Sequence, residues 1–150
     1  MDQKNYGGQE YNPLPKWVTL KLILGILSII VSIFVLFQSC VAGLGNALEA
    51  NGESGGFFGA LVAFNLLASG VIAIAARRSE KKTAMIIAAA LLWLSYFFGK
   101  IFSGSFGDLV IWGFLSYAIG VVYLFSVMTN KKQYIITAVI AALYLAIALI

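Results

Sequence analysis

Few side chains in this sequence are equipped for chemistry, and their types narrow what that chemistry could be. There is no His, and Cys40 is the only Cys. With no imidazole and no second thiol, neither an internal disulfide nor a Cys/His metal cage can be assembled. The six acidic residues are scattered, so paired carboxylates that would divide acid and base roles have little material. Gly43-Leu44-Gly45 lacks the downstream Lys-Ser/Thr and the strand-to-helix setting of a phosphate loop. No Ser-His-Asp, metal or two-carboxylate constellation can be built. The expectation is a protein that is not an enzyme and binds no cofactor or metal.

The polar residues inside apolar runs are the remaining candidates. Asn65, in Phe64-Asn65-Leu66-Leu67, is the most polar side chain at the middle of such a run. An amide there needs a partner, and an interhelical hydrogen bond contributes about 0.6–2 kcal/mol. Asn65 is therefore the candidate interhelical polar contact, with a substrate or ion contact as the alternative. Gln38 and Ser39 are expected to reach water at the end of their run. Cys40 is expected to pack as a small apolar residue, acylation being the alternative. Lys21 is expected to snorkel from the start of the first run to the headgroups.

The elements that must hold these residues follow from composition. The chain is 61% apolar and 11% charged, against roughly 45–50% and about 25% for soluble domains. Its mean hydropathy is +0.95. A water-soluble fold of 150 residues keeps too much surface to hide that much apolar material. The solvent must be lipid, which excludes an ordinary globular domain, a disordered chain and a nucleic-acid-binding module. In lipid every backbone amide must bond internally, so spans are helices or closed-barrel strands. Continuous apolar runs fit helices, because barrel strands are shorter and alternate.

The runs lie at about 17–41, 57–76, 83–99, 109–128 and 134–150. They predict an all-α integral membrane helical bundle with four to five transmembrane helices, spanning residues 17–150 behind a flexible polar tail at 1–16. The fifth run is near the lower length limit of a span, so it is expected to cross, to tilt or to lie partly at the interface. The Gly/Asn/Glu-rich stretch 42–56 reads as an aqueous loop. A cleaved signal peptide is the alternative for the first run, but its length and Gln38 count against processing.

Charge sets the threading. Lys4, Lys16, Lys21, Arg77, Arg78, Lys81, Lys82, Lys131 and Lys132 fall on one side of the alternating runs, and only Lys100 falls on the other. The Lys/Arg bias of short loops marks the cytoplasmic face, so Arg77, Arg78, Lys81, Lys82, Lys131 and Lys132 are the topology determinants. They predict a cytoplasmic N-terminus in the plasma membrane. The expected partners are the bilayer, anionic headgroups on the cytoplasmic side, and another membrane protein or a second copy; nucleic acid is not expected. The spans carry no Asp, Glu or Arg, which argues against a proton-coupled pump.

Small residues recur at helix-packing spacing. Gly59 with Ala63, Ser116 with Gly120, and the stripe Ala138, Ala142, Ala146 are the candidate packing positions, alongside Ser28 with Ser32 and Ser69 with Ala73. Such spacing lets helix backbones approach closely, within a chain or between chains. A shift of 50 residues aligns Gly70 with Gly120 and Lys81-Lys82 with Lys131-Lys132, a weak internal repeat.

The segment Pro13-Leu14-Pro15-Lys16-Trp17 after a polar head, together with Phe37-Gln38-Ser39-Cys40-Val41-Ala42-Gly43-Leu44-Gly45-Asn46-Ala47-Leu48, resembles small four-helix membrane proteins of Gram-positive bacteria that have domain-of-unknown-function status. The resemblance covers roughly residues 10 to 130. It implies a plasma-membrane location and supplies no catalytic residue. The expected role is a small interaction or accessory subunit packing against other membrane proteins; the alternative is a small transporter or channel component acting as an oligomer.

Overall fold

The computed structural model describes residues 15–79 and 82–149. The expected flexible tail falls almost wholly outside the described residues, and so does Lys81. Five helices follow one another: α1 (Pro15–Glu49), α2 (Gly55–Ala75), α3 (Lys82–Ile101), α4 (Asp108–Phe125) and α5 (Lys131–Leu149). No strand occurs among the described residues. The first four helices are each long and apolar enough to cross a membrane. The chain is an all-α membrane bundle, as the unbroken apolar runs require.

The first helix departs from expectation. Most of the stretch read as an aqueous loop is helical, and α1 runs on for 35 residues to Glu49. At 1.5 Å per residue that is about 52 Å, against a hydrocarbon core of about 30 Å, so the helix overhangs the apolar layer. Gly43 and Gly56 there serve close packing, and only Gly52 serves the turn. A Cβ on Gly56 would collide with the Gly43 backbone and come within 2.8 Å of the Ser39 carbonyl oxygen. The chain reverses only at Ala50 (φ 50°) and Gly52 (φ 72°), left-handed positions that end a helix.

Two tight antiparallel hairpins result. In α1–α2, a Cβ on Gly25 would lie 2.9 Å from the Gly70 carbonyl oxygen, and one on Gly70 would lie 2.7 Å from the Gly25 carbonyl oxygen. In α3–α4, Gly99 faces the Leu109 carbonyl and Gly113 faces the Tyr96 backbone. Without a hydrophobic drive between helices in lipid, such backbone approach is what packing can use. The hairpins join through α2 and α3, where the Ser69 hydroxyl donates to the Ala88 carbonyl across 3.1 Å. One core then runs through all four helices, with Val35, Val62, Leu66, Leu92, Leu109 and Tyr123 fully enclosed. The 50-residue shift is not mirrored in packing: α2 lies against α3 along much of its length, whereas α4 meets α5 at few points.

Serines enter this core at little cost because each bonds its own helix. Ser28 donates to Leu24, Ser39 to Val35, Ser95 to Leu91 and Ser116 to Trp112, all carbonyls one turn back. The outside is the reverse of a soluble protein's. Ile33, Phe34 and Phe37 of α1 are 65%, 61% and 71% exposed, which lipid tolerates and water would not.

Candidate functional site

The structure divides the candidate packing residues into two groups. Gly59, Ala63, Ser116 and Gly120 are buried. A Cβ on Gly59 would collide with the Ser39 side chain, and one on Gly120 would come within 2.8 Å of Trp93 Cδ1. These four positions hold the chain's own bundle together. Ala138, Ala142 and Ala146 are exposed along one side of α5.

The inward side of α5 is instead Thr137, Ala141, Tyr144 and Leu145, a spacing of four, three and one that keeps one helical face. That face meets a knot of rings. Trp93 and Tyr144 stack with centroids 5.0 Å apart, and Tyr117 stacks on Tyr144 at 6.0 Å. Two phenol hydroxyls complete the joint. Tyr117 donates to the Ala141 carbonyl at 2.7 Å, and Tyr144 donates to the Trp93 carbonyl at 2.5 Å. The N-terminus of α5 is capped locally: Asn130 Oδ1 accepts the Gln133 N–H at 3.0 Å, while Gln133 Oε1 accepts the Thr129 N–H at 2.9 Å. The helix is thus well started but thinly attached, by this aromatic joint, by Tyr134 stacked on Phe125 at 5.8 Å and by the Thr137 hydroxyl donating to Met128 Sδ at 3.5 Å.

Several polar residues sit elsewhere than expected. Asn65 is not an interhelical clamp through its amide nitrogen, because Nδ2 is buried with no hydrogen-bond partner. The clamps are Trp112 Nε1, which donates to Gln38 Oε1 at 2.7 Å, and the two tyrosines. Gln38 therefore binds α4 while staying half-exposed in an open groove, and Ser39 is 2% exposed. Cys40 is exposed on α1 and does not pack. Lys21 is 6% exposed as a whole residue, its stem on the α1 stripe that continues through Gly25, Ser28, Ser32 and Val35 into the core. Sequence reasoning passed over Tyr117, Tyr144 and Trp112. The available signal was a ring with a polar tip inside an otherwise aliphatic helix, since such tips find partners when buried.

The two ends of the bundle differ in charge. Arg77, Arg78 and Lys82 flank the α2–α3 turn, and Lys131 and Lys132 open α5. At that end an apolar groove of about 400 Å³ is lined by Trp17 of α1, Phe125 of α4, and Tyr134, Ile135 and Ala138 of α5. The acidic residues among the described ones, Glu49, Glu53 and Asp108, all lie at the other end. There an open groove of about 450 Å³ carries Glu49 and Asp108 on its rim. Glu53 ties the two loops of that end together by accepting the Ser105 N–H at 2.7 Å. The Ser105 hydroxyl and this N–H hold the Glu53 carboxyl below the usual carboxylate range. Gly104 (φ 53°) makes room for it, since a Cβ there would meet Glu53 Oε2 at 2.7 Å. Among the described residues, no group of His, Cys, Asp and Glu could hold a metal ion.

The chain matches no protein-family model, no curated protein and no solved structure.

Proposed function

We propose that this chain is a small interaction subunit of the plasma membrane, threaded with its N-terminus and basic turns in the cytoplasm, that receives a transmembrane helix of another membrane protein on α5. The observation that carries this reading is the outward stripe Ala138, Ala142, Ala146. Elsewhere in the molecule, small residues at helix spacing are where two backbones come together: Gly25 with Gly70, Gly43 with Gly56, Gly99 with Gly113. The α5 stripe has the same character and, among the described residues, no helix upon it. A stripe of alanines every four residues is the kind of face that another helix packs on in lipid. The competing reading, an oligomeric transporter or channel, has less support, because the middle of the bundle is filled by enclosed side chains such as Leu66, Leu92 and Tyr123.

The test is crosslinking in native membranes from a cysteine placed at Ala142 in a Cys40→Ser background. The expected result is one defined adduct with another membrane protein, abolished by Ala146→Leu. A ladder of copies of this chain with solute flux in liposomes would replace the reading with the oligomeric one. The threading is tested separately: a membrane-impermeant thiol reagent on intact cells should label a cysteine at Asn51 and spare one at Ser79 or Gln133.

A further inference from the structure

Lys21 brings a cation onto the inward stripe of α1, with no hydrogen-bond or ion-pair partner among the described residues. Its exposure is 6%, and every described acidic side chain lies at the opposite end of the bundle. Holding an ammonium largely out of water without a counter-charge is costly, and no described residue at this end of the bundle supplies an anion. The surroundings say which kind. Trp17 lies about one turn before Lys21 on the same side of α1, about 6 Å nearer the end of the helix. Trp17 also forms one wall of the groove of about 400 Å³ whose other walls are Phe125, Tyr134, Ile135 and Ala138. Those walls offer hydrocarbon and rings, which suit an acyl chain and not a sugar or a nucleotide. The groove opens at the cationic end, near Lys131 and Lys132 and the N-terminus of α5, whose dipole favours negative charge.

We propose that Lys21 and the adjoining α1–α4–α5 groove hold one anionic phospholipid, its phosphate on the Lys21 ammonium and one acyl chain along Trp17, Phe125, Tyr134, Ile135 and Ala138. A charged hydrogen bond to phosphate supplies the selectivity, and the apolar walls supply the depth. The site goes beyond the helix-docking face on α5, with which it shares only Ala138, and it stands or falls independently of it.

Native mass spectrometry of the full chain, released from nanodiscs of equal phosphatidylglycerol and phosphatidylcholine, tests the assignment. One phosphatidylglycerol should be retained, preferred about tenfold over phosphatidylcholine. Lys21→Met should bring the two lipids near parity while keeping or raising the thermal unfolding temperature, because it removes a buried charge at similar volume. Lys21→Arg should keep the preference, Ala138→Phe should lose retention by filling the groove, and Arg78→Gln, on the same end but exposed, should change nothing. The proposal is overturned if Lys21→Met keeps the preference, if Arg78→Gln erases it as fully, or if Ala138→Phe leaves retention intact. Displacement of the lipid by inorganic phosphate alone would mean a free-phosphate site and would overturn the lipid assignment.

Discussion

Small residues at helix spacing occur both in the α1–α4 core and on α5, and the two regions use them in opposite ways. In α1–α2 and α3–α4 the glycines and serines face one another, and a single added carbon at Gly56 or Gly59 would strike a neighbouring helix. On α5 the alanines face out, and aromatic residues make the attachment. The difference teaches that spacing confers a capacity for close approach, while the neighbours in the bundle decide whether that capacity is spent inside the chain or left available. It also separates two kinds of strength. The core rests on backbone proximity along whole helices, and α5 rests mainly on stacked rings and two hydroxyl-to-carbonyl bonds.

Substitutions that add bulk in the core should break the comparison most violently. Gly59→Leu forces a branched side chain into Ser39, and overpacking of this kind costs about 3 kcal/mol; SDS-titrated unfolding in mixed micelles should show the loss, with α1 and α2 separating. Gly120→Leu, against Trp93, should likewise damage the fold itself and so cannot serve as a clean probe of partner binding. Next in size is Tyr144→Phe. Losing one interhelical hydrogen bond in lipid costs about 1 kcal/mol, and it should loosen α5 alone, seen as faster amide exchange over 134–147 with α1–α4 unchanged.

A smaller effect sits at the acidic end. The Glu53 carboxyl is held below its ordinary range by the Ser105 hydroxyl and N–H, so the tie between the two loops is fully present above the ordinary carboxylate pKa. It is lost as the pH falls through the lowered value. Amide exchange at Ser105 should therefore quicken only in acid, and Glu53→Gln should remove that pH dependence. The smallest effect on the fold is expected from Ala142→Leu, within about 0.5 kcal/mol as for exposed sites. The same change should abolish the α5 adduct. If it unfolds the chain instead, the contrast between core and α5 stripe is wrong.

Much of the architecture was legible because lipid leaves the backbone few options. Unbroken apolar runs of this length have to be helices, and alternating basic and Gly-rich turns already placed Arg77, Arg78, Lys131 and Lys132 at one end and Glu49 and Asp108 at the other. The α5 start was also written locally, in Asn130 and Gln133. What failed was the extent of the loop read at 42–56: the turn is confined to 50–54, because Gly43 answers to Gly56 on another helix and not to its own neighbours in sequence.

The sequence by itself determined the solvent, the number and order of the helices and the separation of charge, since each depends on composition or on residues close together in the chain. The tertiary structure alone decided that Gln38 meets Trp112, that Asn65 Nδ2 finds no hydrogen-bond partner, that Lys21 lies on the inward stripe of α1, and that Gly120 turns inward while Ala142 turns out. Those outcomes depend on the rotation of each helix about its axis, and that rotation is set by which small-residue faces pack together among several that are locally equivalent.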